Sequence, residues 1–178
     1  MNKKETTIIN FIASPGCGKS TLTASVFAKL KWLGYDCEMV SEFAKELIWE
    51  ERNETFKDEI YLFAKQNHRL FRVNGKVDII ITDRPIILSI LYNRKYGNGS
   101  KNFENLVYET HNNYKNLNYF INRTKRYNPN GRNQTEKESD MMNIEIKNIL
   151  NEYSIPYNEI NGNKEATDKI VEDIIKLF

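Results

Sequence analysis

Cysteine is nearly absent from this chain. Cys17 and Cys37 are the only two, too few for a disulfide scaffold, and neither belongs to a metal-ligand cluster. Both are expected as reduced thiols without a catalytic part. Proline and glycine are also scarce, at 4 and 8 residues, which excludes low-complexity linkers. No stretch approaches the roughly 18 apolar residues that span a bilayer, and Met1-Asn2-Lys3-Lys4-Glu5 runs straight into a short apolar segment. Nothing there resembles an export signal, so the expected location is cytoplasmic, with no membrane partner. An excess of one charge is missing too: 26 basic against 24 acidic residues leave +2, too little for a nucleic-acid coat, although local basic clusters can still hold phosphates.

What remains is a chain of 178 residues, 40% hydrophobic and 28% charged. That suits one domain over 1–178, with a single core. Apolar runs alternate with helical patterns. Thr6 to Ala13, Cys37 to Ser41, Val77 to Thr82, Leu117 to Ile121 and Tyr157 to Ile160 read as strands. Lys19 to Leu33, Glu42 to Glu51, Thr55 to Val73, Glu136 to Tyr153 and Lys164 to Phe178 read as helices, and Pro85 stands where a further helix begins. This alternation predicts an α/β fold with a mostly parallel sheet covered on both faces. The polar, basic segment from Arg123 to Glu138 contains Asn-Pro-Asn-Gly-Arg, the residues of a turn, and is expected to be mobile.

The strongest signal is Ala13-Ser14-Pro15-Gly16-Cys17-Gly18-Lys19-Ser20, directly after the first strand and opening the first long helix. That is the context of a Walker A phosphate loop. Glycines let backbone N–H groups turn toward phosphates, the helix N-terminus adds its dipole, and Lys19 adds a mobile positive charge. The Ser20 hydroxyl suits Mg²⁺. Residues Pro15, Gly16, Cys17, Gly18, Lys19, Ser20 and Thr21 are the expected binders of a nucleoside triphosphate, ATP, with Mg²⁺.

A phosphate loop alone does not separate switches, motors and kinases. No Asn-Lys-x-Asp base-reading motif is present, and motors need more chain. Glu42 follows the second strand and Asp83-Arg84 follows the third, so all three can converge at the carboxyl edge of a parallel sheet. One carboxylate can deprotonate an acceptor hydroxyl while another holds the metal or its waters. Glu42 is preferred as base, Asp83 as the metal-side group and Arg84 as a phosphate holder, but the carboxylates can exchange roles. Glu42 as a helix N-terminal charge and Asp83 as a helix cap are the plainer alternatives. Gln66 and Arg69 lie one turn apart, flanking an apolar stripe of Phe56, Ile60, Phe63 and Leu70, and either borders an acceptor pocket or simply faces solvent. Arg123, Lys125, Arg126 and Arg132 can close as a lid that excludes water and offsets transition-state charge. The same cations suit a nucleic-acid backbone, or no partner at all.

The set of Ala13 to Ser20, Ser41-Glu42-Phe43-Ala44-Lys45-Glu46, Gln66 with Arg69, Thr82-Asp83-Arg84-Pro85 and Arg126 to Arg132 resembles the P-loop kinase-like ATPase family called AAA_28, often phage-encoded. More distantly it is similar to ribosylnicotinamide, thymidylate and deoxynucleoside kinases. The resemblance implies a three-layer α/β/α sandwich, a parallel five-stranded sheet in the order 2-3-1-4-5, a lid at 123–138, and roles for Glu42, Asp83-Arg84, Arg126 and Arg132. Pro85 departs from the Ser or Tyr that nucleoside kinases often carry there, which leaves the acceptor open. The expected activity is a kinase acting on a nucleoside, nucleotide or ribosyl-nicotinamide-like molecule. The alternatives are a kinase acting on a nucleic-acid end or modified DNA base, and an ATP-dependent regulatory module. A homodimer is compatible with each.

Overall fold

The computed structural model describes residues 4–178. Strand β1 (Thr7–Ile12) is buried at every position, as a run of apolar and β-branched residues must be when helices cover both faces of a sheet. The other strands are β2 (Cys37–Val40), β3 (Ile79–Thr82), β4 (Lys115–Asn122) and β5 (Asn158–Asn161). All pairings are parallel, and the order is β2-β3-β1-β4-β5. This is the order and the α/β/α architecture implied by the resemblance. Successive side chains of a strand point to opposite faces, so Ile8, Ile12, Ile80 and Phe120 enter one core. Ile9, Phe11, Ile79, Ile81, Tyr119 and Ile121 enter the other.

Helices α1 (Lys19–Trp32) and α7 (Glu165–Ile175) cover the second of these faces. The first is covered by α3 (Glu59–Phe71), α4 (Ser89–Tyr96), α5 (Lys101–Asn112) and α6 (Glu136–Glu152). A short α2 (Ala44–Trp49) follows β2. None of the described helices is long and apolar enough to cross a membrane.

Several boundaries differ from the sequence expectation, each for a local reason. The long helix expected over Thr55 to Val73 is broken. Asn53–Lys57 forms a separate 3₁₀ turn, and Asp58 then caps α3 by accepting from the Tyr61 N–H at 3.0 Å. Phe56 therefore lies outside the helix, and Ile60 is 64% exposed. The buried face of α3 is Glu59, Leu62, Phe63, Gln66 and Leu70 instead. Pro85 is extended, with ψ of 135°, and stands one residue before a 3₁₀ turn at Ile86–Leu88 that leads into α4. Helix α5 was not anticipated, because its buried face mixes Phe103 and Val107 with Glu104 and His111. Two polar residues on a core face blur the apolar periodicity that announces a helix.

Glu104 fastens these helices together. Its carboxylate accepts from Arg94 of α4 through Nε and Nη2, both at 2.7 Å, from the Tyr153 hydroxyl at 2.8 Å and from Lys101 at 3.1 Å. The Arg94 hydrogen bonds hold its acid down from the ordinary 4.5 to about 2. A depressed carboxyl stabilises the fold above the unfolded value, and that contribution is lost as pH falls from near 4.5 toward 2. Glu104→Gln is therefore expected to destabilise the protein at neutral pH by on the order of 3 kcal/mol. It should also flatten the acid limb of a urea-denaturation series over that window; parallel acid limbs in parent and variant would exclude this role.

Candidate functional site

The phosphate loop connects β1 to α1 at the carboxyl edge of the sheet. Gly16 and Gly18 take φ of +88° and +97°, a left-handed backbone that glycine adopts without strain. Lys19 is folded back in this state. Its ammonium donates to the carbonyls of Ala13 at 2.8 Å and Ser14 at 2.9 Å, and burial lowers its pKa, opposed first by the nearby charge of Glu42. Ser20 donates to Asp83 Oδ2 at 2.6 Å. The other oxygen of Asp83 accepts the Glu42 N–H at 3.1 Å. Hydroxyl and carboxylate thus meet at the start of α1, a hard-oxygen pair of the kind Mg²⁺ takes alongside phosphate and water.

Asp83 and Arg84 are 6% and 5% exposed. The Arg84 guanidinium lies 4.1 Å from the Tyr92 ring centroid, with Nε 3.7 Å from Glu42 Oε1 and Nη2 3.5 Å from Glu59 Oε1. Two carboxylates therefore share one cation at a separation longer than a good hydrogen bond. Arg84 Nη1 and Glu59 Oε1 have no hydrogen-bond partner in the protein. Burial raises the Glu59 pKa, and the Arg84 charge opposes that rise.

A cavity of 590 Å³ joins these groups, except that Asp83 lies behind Ser20 and is not part of its wall. Pro15, Gly16, Gly18, Lys19, Ser20 and Thr21 line it together with Glu42, Glu59, Arg84, Tyr92, Tyr96, Trp49 and Phe56. Cys17, expected among the loop's binders, is instead 1% exposed in the core and is not among the lining residues. Gln66 and Arg69 are not among the lining residues. Gln66 accepts the Phe43 N–H at 3.0 Å and donates to the Ser41 carbonyl at 3.3 Å. Arg69 pairs with Glu46 at 2.7 Å and reaches Ser41 at 3.4 Å. Both splint the turn that carries Glu42, because the unpaired backbone groups between β2 and α2 need partners.

The basic segment divides. Lys125 and Arg132 line the cavity. Arg123 instead pairs with Glu136 and Asp140 at the start of α6. Arg126, expected on the cavity side, is exposed and outside its wall. The chain bends at Lys125, which brings that side chain beside Gly18 and the Tyr127 ring beside Gly16. The Tyr127 ring lies against Gly16, where an added Cβ would come within 2.7 Å of it. Glu59, Trp49, Phe56, Tyr92 and Tyr96 were missed by sequence reasoning. An acid in the first turn of a helix reads as an ordinary terminal charge, and only tertiary packing brings Glu59 to Arg84.

The AAA_28 family model, described as AAA domain, matches residues 8–166, so the chain belongs to that family. No curated protein matches the sequence. Among solved structures, the fold is similar to NadR protein in complex with NR, at a TM-score of 0.71 and 17% identity, covering 94% of this chain and 51% of that one. It is also similar to NadR protein in complex with NAD and AMP-PNP, at a TM-score of 0.64 and 16% identity, covering 94% and 49%. This chain spans about half the length of those two, and at such identity the likeness is one of fold.

Gly162, at the end of β5, also presses on the loop. A Cβ there would meet the Cys17 carbonyl at 2.5 Å and the Asn122 carbonyl at 3.2 Å. Gly162→Ala must push the phosphate loop inward or the β5 turn outward. It is expected to weaken nucleoside triphosphate binding by roughly tenfold or more, a cost of the size that backbone strain carries. Calorimetric titration with Mg-ATP checks this; parental affinity in the variant would mean that the turn yields and the loop does not.

Proposed function

We propose that this member of the AAA_28 family is a kinase that binds Mg-ATP on its phosphate loop and transfers the γ-phosphoryl group to a small nucleoside-, nucleotide- or ribosyl-nicotinamide-like acceptor. The observation that carries this reading is the one continuous cavity lined both by the loop and by Glu42, Arg84, Glu59 and an aromatic wall. A switch needs only the nucleotide half of such a space. The second half, with flat aromatic surfaces and convergent polar groups, suits a planar base joined to a sugar. The similar structures hold NR in one case and NAD with AMP-PNP in the other, which supports that choice of acceptor class.

In this reading Lys19 leaves the Ala13 and Ser14 carbonyls for the phosphates, whose charge offsets its burial. Ser20 and Asp83 are the residues that would hold Mg²⁺, which neutralises charge building on the phosphate oxygens. Glu42 accepts the proton of the acceptor hydroxyl as that oxygen bonds to the γ-phosphorus. The bond from phosphorus to the bridging oxygen breaks, and ADP leaves with that electron pair. Arg84 steadies the transferred group; its free Nη1 can donate to a hydroxylated acceptor and the free Glu59 oxygen can accept from it. The chain works as one unit over 1–178, with 123–138 as its lid. Closure brings Lys125 and Arg132 over the phosphates and keeps water from competing with the acceptor.

The test is transfer of label from γ-labelled ATP with Mg²⁺ to a panel of nucleosides, nucleoside monophosphates, ribosyl-nicotinamide and DNA oligonucleotides. Label on a small acceptor is the expected result. Label on DNA alone would assign the activity to nucleic-acid ends or bases, and release only as free phosphate would replace the kinase with a regulatory ATPase. Glu42→Gln is expected to lower transfer by roughly 100-fold or more while leaving ATP affinity nearly unchanged, whereas Lys19→Ala should lose both. Parental turnover in the Glu42 variant would remove that residue as the base.

A further inference from the structure

The phosphate loop has little to hold it within itself. Inside 13–17 there is only one tight turn, over Pro15 and Gly16, and the helical ladder begins with Leu22 N–H donating to the Gly18 carbonyl at 3.0 Å. Ser14 is nevertheless fully buried, where an unpaired N–H or C=O is costly. Its partners fall in two sets. Lys19 occupies the carbonyl, together with that of Ala13. The N–H and the shorter hydroxyl contact are met from α6, 125 residues or more away in sequence, and inside the loop the hydroxyl meets only the Cys17 thiol, at 3.4 Å.

Asn143 Oδ1 accepts the Ser14 N–H at 2.9 Å, and Asn143 Nδ2 approaches Cys17 Sγ at 3.4 Å. Ser139 Oγ donates to the Pro15 carbonyl at 2.6 Å. Because a hydroxyl has one proton, the 2.7 Å contact between Ser139 and Ser14 must then run from the Ser14 hydroxyl to Ser139. Ser139 is itself fully buried. Residues four apart share a helix face, so the two side chains form one polar patch at the front of the apolar stripe of Met142 and Ile146. The first turn of α6 is fixed by a capping box between Thr135 and Glu138.

We infer that Ser139 and Asn143 are positioning residues for the phosphate loop: they keep Ser14 to Cys17 in shape when Lys19 withdraws toward a phosphate. The inference rests on the reading of that loop as a triphosphate site, but on no acceptor. An ammonium has three donors, and Lys19 already spends two of them on the Ala13 and Ser14 carbonyls. Each further bond it turns toward a phosphate is taken from that support, so a loop held by Lys19 alone would loosen on binding. The α6 bonds engage the N–H of Ser14, its hydroxyl and the carbonyl of Pro15, none of which Lys19 uses. They also make the loop and the helix behind the lid one rigid piece, so any lid movement takes place before Thr135.

The experiment is Asn143→Ala and Ser139→Ala, each read in two ways. Hydrogen exchange of the nucleotide-free protein should speed at the amides of 14–18 by roughly tenfold, the size expected when a buried bond is removed, while β1 and α1 keep parental protection. Calorimetry with Mg-ATP and with inorganic tripolyphosphate should show both weakened by a similar factor of roughly tenfold. Unchanged exchange at 14–18 would overturn the inference. So would faster exchange spread over β1 and α1, which is general destabilisation, or loosened loop amides with parental affinity for both ligands. A parent protein that fails to bind Mg-ATP would count against the proposed function, and exchange alone would then decide the tethering.

Discussion

Two hydrogen bonds to one carboxylate set the geometry of the candidate site. Asp83 accepts from the Ser20 hydroxyl on one oxygen and from the Glu42 backbone on the other. It stands immediately after β3, the strand that lies between β1 and β2. The side chain therefore reaches both neighbouring strand ends at once: the phosphate loop that follows β1 and the turn that follows β2. No residue on an edge strand could do so. Parallel pairing puts all three ends on one side of the sheet, and strand order makes the middle one the natural hub. Gln66 and Arg69 extend the same logic by bracing the Glu42 turn from behind.

Much of this was legible in the sequence, and the limits have physical causes. The strands are short apolar runs whose only competitor is a buried helix, and the loop pattern between β1 and α1 selects the strand reading at once. Glu42, Asp83 and Arg84 were found because strand ends converge by topology alone. Gln66 lies on the buried face of α3 and not on its flank, and both it and Arg69 reach backbone, since a turn's need for hydrogen-bond partners is invisible until the turn is built. Arg126 failed for a simpler reason: the segment is irregular, with a bend at Lys125, and without a fixed period the sequence does not reveal which of its cations face inward. Helix α5 escaped because Glu104 occupies a core position that periodicity reserves for apolar side chains.

The pairing of Arg84 with two acids explains why so polar a cluster can be buried. One guanidinium stands between Glu42 and Glu59, and Tyr92 closes the remaining face with its ring. A single tight Arg–Glu pair would satisfy both partners and offer nothing outward. Divided between two, the guanidinium keeps an N–H free and Glu59 keeps an oxygen free. Unsatisfied groups are rare in protein interiors because they cost stability. Here both residues also belong to the wall of the cavity.

The same economy separates what is fixed from what can move. The stripe of α6 continues from Ile149, Ile146 and Met142 into Asn143 and Ser139, so the helix changes from packing against strands to hydrogen bonding a loop without changing direction. Just before its first turn, the chain from Lys125 to Arg132 lies over the cavity with fewer ties. Arg132 is held by the Asn128 carbonyl within the segment, and Tyr127 by Gln134 and by its contact with Gly16. The hydrogen bonds of that segment are mainly to itself, whereas those of the phosphate loop run to a packed helix. Phosphate loop, Glu42 turn and basic segment therefore differ in where each finds its hydrogen-bond partners.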